Sequence, residues 1–145
     1  RYAMMFEDEV FLKSINIAKW NIYIAALTDC TFYVFSYLID KKNLKQNDAL
    51  ETFIEIIENE KSNGLEDKLF ENAKLDFNQK LKEIDWKKYH QDNPFKNSVL
   101  SLLKWSPVAD NLKILDKKIV LNSIMLKWNL VENEFKDLTK NLSFN

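Results

Sequence analysis

A chain of 145 residues, 46% apolar and 30% charged with a net charge of −1, is long enough to bury one sizeable core, and its charge is too balanced to attract nucleic acid as a whole. It holds one glycine (Gly64) and two prolines (Pro94, Pro107), where average usage gives roughly ten and seven, so tight hairpins, βαβ turns and phosphate-cradling loops are excluded. One histidine and one cysteine exclude an intrachain disulfide and the usual zinc ligand sets, and no metal or resident cofactor is implied.

The periodicity predicts a first helical segment over about 3–39. Its first half is amphipathic, with Phe6, Val10, Ile17 and Ile24 at helical spacings against Glu7, Lys13 and Asn16. Glu7, Asp8 and Glu9 interrupt any apolar leader sequence. The second half, 22–39, is apolar almost all round, which means either the centre of a bundle or a membrane span. Asp29, flanked by Thr28 and Thr31, argues against the span, because a charge at the bilayer centre costs at least about 2.5–3.5 kcal/mol.

A polar connection follows, with Asp48 and Glu51 spaced as a capping box for a second helix reaching about Lys61. Leu50, Phe53, Ile54 and Ile57 give that helix one apolar stripe, and Gly64 is placed to end it in the left-handed conformation. A third helix is expected over about 65–84, with Phe70, Ala73, Phe77, Leu81 and Ile84 inward and Trp86 and Tyr89 extending the face. Asp92-Asn93-Pro94 marks the start of a short fourth helix to Trp105, with Phe95, Val99, Leu102 and Leu103 inward. Residues 108–115 read as irregular or as one short turn.

Asp116 opens the last predicted helix, to about Leu142. Leu121, Ile124, Trp128, Val131, Phe135, Leu138 and Leu142 make an unbroken heptad seam along it. The size of Trp128 and Phe135 favours packing on another long helix of the same domain, with a partner chain as the other use of the seam.

The residues that carry chemistry are few. His90 lies in Lys-Lys-Tyr-His-Gln-Asp and reads as an exposed loop histidine. Cys30, beside Asp29, reads as a buried, inert thiol, because a neighbouring carboxylate works against a thiolate. Asp29, Ser36 and Asp40 fall on one helix face by spacings of seven and four, with Tyr33 beside them. A buried carboxylate must be paired, hydrogen-bonded or protonated, and a lysine, tyrosine or tryptophan donor from another helix is the expected partner.

These features predict an all-α, single-domain bundle of about five helices over 1–145, with the long first and last helices packed together. The expected function is a non-catalytic structural or protein-interaction module, one subunit of a larger assembly or a homo-oligomer. Its interface residues would be Leu121, Trp128 and Phe135. The competing reading is a bundle that holds an apolar ligand or cofactor near Asp29, Tyr33 and Ser36. Acid–base chemistry built on Asp, Glu and Tyr has no spacing signature, so the case against an enzyme rests only on scarce histidine, cysteine, arginine and glycine. A lone cysteine and the absence of a leader pattern predict an intracellular, cytoplasmic setting.

Overall fold

The computed structural model describes residues 9–105 and 126–144; among them are five α-helices and no strand. Helix α1 spans Glu9–Lys42, α2 Ala49–Asn59, α3 Asp67–Leu81 and α4 Lys96–Trp105, and α5 covers 126–138. Two short 3-10 turns, Glu60–Asn63 and Tyr89–Gln91, follow α2 and precede α4. The fold is the expected all-α bundle. The reading of 108–115 as irregular or one short turn, the Asp116 cap and the seam positions Leu121 and Ile124 lie outside the described residues.

α1 runs for 34 residues because neither glycine nor proline interrupts it. It ends at Asn43, which takes a left-handed φ of 63°. From α1 the other helices take their positions. Phe32 of α1 stacks on Phe77 of α3 (4.6 Å between ring centroids), and Phe77 stacks in turn on Phe53 of α2 at 4.1 Å. The three-ring column ties three helices together, and Ala49, Ile57, Phe70 and Ala73 close around it. Each fully buried aromatic or aliphatic side chain of this kind contributes about 1.5–3 kcal/mol of transfer free energy.

Gly64 does what its position requires. At φ 103° it lets Leu65 N–H reach Glu60 O and Gly64 N–H reach Lys61 O, both at 3.2 Å, which together form the Schellman closure. Leu65 is then buried at 3% exposure, the apolar contact that accompanies such a motif. The expected capping box is not formed. Asp48 stands at the N-cap of α2 without a side-chain cap bond; its Oδ1 accepts from Gln46, and Asn47 Oδ1 accepts Ala49 N–H instead. The neighbouring asparagine satisfies that amide from one residue earlier.

α1 and α5 pack together as expected. Phe135 meets Tyr33 and Tyr37 edge-on, at 5.7 and 5.5 Å. Lys42 Nζ donates to Lys140 O and Phe144 N–H to Lys42 O, which ties the end of α1 to the turn after α5. Trp128 lies flat on Phe95 at 4.0 Å. The heptad seam, however, is not the contact line. Val131 and Leu138 are exposed (44% and 77%), and the inward positions are Trp128, Glu132, Phe135 and Thr139. The two large rings reach furthest and set the roll of the helix; the smaller seam residues rotate out to solvent.

Candidate functional site

Asp29, Ser36 and Asp40 do form one polar line on α1, and all three meet the segment that leads into α4. Asp29 is fully buried. Its Oδ2 accepts the backbone N–H of Ser98 at 2.6 Å. Ser98 lies in the first turn of α4, whose amides have no intrahelical acceptor. The residue before that helix is Phe95, which has no side-chain acceptor of its own, so a carboxylate from α1 caps α4 from outside. The expected side-chain donor is thus joined by a backbone one.

Asp29 Oδ1 lies 3.4 Å from the Tyr89 hydroxyl, and that hydroxyl lies 2.6 Å from Pro94 O. Tyr89 has one proton, and the shorter contact takes it. Pro94 O is thus the main acceptor of the Tyr89 hydroxyl, and Asp29 Oδ1 is a second, more distant one. Burial pushes the Asp29 carboxyl up to about 6, against the hydrogen bonds from Ser98, the nearby charge of Lys80 and the contact with Tyr89, which pull it down. Cys30, next to it, is half-buried rather than buried, and burial with the Asp29 charge pushes its thiol up to about 11. The expectation of an unreactive thiol agrees with that shift.

Ser36 is satisfied by the connector. Its hydroxyl donates to Trp86 O at 2.7 Å and accepts His90 N–H at 3.0 Å. Asp40 lies 2.8 Å from His90 Nε2. His90 is therefore not an exposed loop residue. It is 7% exposed, because Ser36 and Asp40 draw the connector onto α1. The hydrogen bond from His90 holds the Asp40 carboxyl below its ordinary value, so the carboxylate accepts and Nε2 carries the proton. The other ring nitrogen, Nδ1, has no hydrogen-bond partner given among the described residues.

Tyr33 packs among Tyr37, Phe95 and Phe135 at 2% exposure, and its hydroxyl has no partner among the described residues. Burial and the nearby Glu132 charge raise its pKa.

Two clefts flank this polar line. One, of about 380 Å³, lies between α1, α3 and α4 and is lined by Asn21, Thr28, Asp76, Lys80, Lys104 and Trp105 among others. The other, of about 580 Å³, opens between the last turns of α1, the connector and α5. Tyr37, Lys41, His90, Asn129, Glu132 and Lys136 line it. Asp29, Tyr33 and Ser36 line neither cleft. No group of three or more His, Cys, Asp or Glu side chains is disposed to hold a metal among the described residues.

Sequence reasoning found the α1 half of this arrangement and missed His90 and Glu132. Glu132 is not a position of the heptad seam, and the roll of α5 brings it inward. No family model, curated protein or solved structure matches the chain.

Proposed function

We propose that this chain is a helical interaction module that pairs with a second copy of itself through the outward face of α5, as a building block of a larger assembly. The observation that carries this reading is the exposure of Leu126, Leu130, Val131 and Leu138, at 62%, 63%, 44% and 77%, on a helix whose other face is already docked through Trp128 and Phe135. A row of large apolar side chains in water is unfavourable by about 25 cal/mol per Å², and pairing removes that cost.

Charge selects the occupant and its direction. Along this face Lys127 lies near the start of α5, and Glu134 and Asp137 lie toward its end. Two copies laid antiparallel set Lys127 of each beside the acids of the other, twice over by symmetry. A parallel arrangement sets lysine against lysine. The helix dipoles favour the antiparallel arrangement as well. The proposed interface therefore uses the neighbours of Trp128 and Phe135 rather than those two rings.

Light scattering on size-exclusion fractions over a range of protein concentration tests the reading. A dimer is expected, and Leu130→Glu and Leu138→Glu are expected to give folded monomers. Lys127→Glu weakens the dimer, and adding Asp137→Lys to it restores pairing. A monomer at every concentration overturns the proposal.

A further inference from the structure

We infer that the cleft between α1, the Tyr89–Asn93 connector and α5 is a binding site for a small zwitterion of the amino-acid class. The site is built before any ligand arrives. His90 is held on three sides: its backbone N–H on Ser36, its Nε2 on Asp40, and its ring edge-on to Tyr37 at 5.5 Å and 83°. A ring fixed in this way aims Nδ1 in one direction, and preorganisation of this kind lowers the cost of binding. The side chain is 4% exposed, yet His90 is part of the cleft lining.

The charges around the cleft identify the ligand. The lining carries one carboxylate, Glu132, and two ammonium groups, Lys41 and Lys136; a second carboxylate, Asp40, is engaged by His90 Nε2 and does not line the cleft. The lining thus presents both signs of charge side by side. A ligand that carries both signs meets both. Its ammonium donates to Glu132; its carboxylate accepts from Lys41 and Lys136. Asn93 and Asn129 supply amide groups that both donate and accept. Glu132 is half-buried, and burial raises its pKa against the pull of Lys136 and His90; a bound ammonium offsets that penalty. A cleft of about 580 Å³ is within the ordinary range for small-molecule sites and holds a free amino acid with room for its side chain.

The proposal is independent of α5 self-pairing, because the cleft residues Asn129, Glu132 and Lys136 lie on the docked side of that helix. A dimer that binds nothing sinks only this inference, and a monomer that binds sinks only the pairing.

His90 is the only histidine, so its ring signals in a proton–nitrogen spectrum need no assignment. The experiment titrates the full chain with a panel of L-amino acids and follows the His90 ring. Matched titrations use the N-acetyl and carboxamide forms, inorganic phosphate and a simple diamine. A saturable shift with at least one free amino acid is expected, weakened about tenfold or more by either block, as loss of one charge-assisted hydrogen bond implies. Glu132→Gln and Lys136→Ala, checked as folded by circular dichroism, are expected to weaken it similarly. No saturable shift with any amino acid overturns the inference. So does equal binding of the blocked forms, or tighter binding of phosphate or the diamine.

Discussion

Asp29 shows how a single buried carboxyl sets a pH dependence. Its folded pKa is about 6 against an ordinary 3.8, so its protonated form is the one the fold favours. The stability it allows is fully present below 3.8 and is lost as pH rises through about 6. At about 1.4 kcal/mol per pH unit, full ionisation costs ~3 kcal/mol. Asp40 runs the other way: its lowered pKa supplies stability that is lost only as pH falls below the ordinary carboxyl range. Asn at position 29 mimics the neutral acid, with Oδ1 for Ser98 N–H and Nδ2 for the Tyr89 oxygen. In urea melts at pH 5 and pH 7.5, the wild type is expected to lose stability with rising pH relative to Asp29→Asn. Asp29→Leu, which leaves Ser98 N–H without its acceptor, is expected to be the weakest of the three at pH 5, by about 1–3 kcal/mol. Parallel pH profiles for the wild type and Asp29→Asn would contradict a buried, titrating Asp29.

At the scale of elements, α5 separates what a repeat predicts from what packing selects. A heptad pattern offers several faces within one helical turn of each other, and the pattern alone does not rank them. Ring contacts do: Trp128 lies flat on Phe95, and Phe135 sits against Tyr33 and Tyr37. Phe135→Ala is therefore expected to cost about 2 kcal/mol, less than a fully buried phenylalanine because the residue is half-buried. Leu138→Lys, at 77% exposure, is expected to change stability by less than about 0.5 kcal/mol when both substitutions are compared in the monomeric Leu130→Glu background. Equal losses at the two positions would mean that the original seam is the contact line. The α2 and α3 stripes needed no such correction. Ala49, Phe53 and Ile57, and Phe70, Ala73 and Phe77, follow helical spacing and are all buried.

Across the whole molecule, α1 is the axis on which the rest is assembled. By length and composition Leu12–Lys42 is apolar enough to cross a bilayer. Four of its polar residues have partners in the protein: Thr28 and Thr31 donate to carbonyls of their own helix, and Asp29 and Ser36 meet the segment before and into α4. Burial is uneven along it. Leu12, Lys13, Asn16, Ile17 and Lys19 are exposed, whereas Thr28, Asp29, Thr31, Phe32, Tyr33 and Ser36 are buried. Amide exchange is expected to follow that gradient, fast over 12–19 and slowest over 28–36, with Ser98 and His90 protected by their side-chain acceptors. Uniform protection along α1 would show that its first turns are covered.

The sequence by itself determined the helical class, the stripes of α2 and α3, the closure at Gly64 and the polar line of Asp29, Ser36 and Asp40. Each follows from local causes: glycine content, the 3.6-residue period and the conformational freedom of one residue. Only the tertiary structure decided what those positions meet. Ser98 N–H, Trp86 O and His90 are 69, 50 and 54 residues away along the chain from the groups that bind them. No local pattern encodes such a pairing, because it depends on how the connector folds back on α1. The same holds for the roll of α5, which brings Glu132 to the cleft and turns Leu130 and Leu138 outward. There the side chain that reaches its partner sets the face.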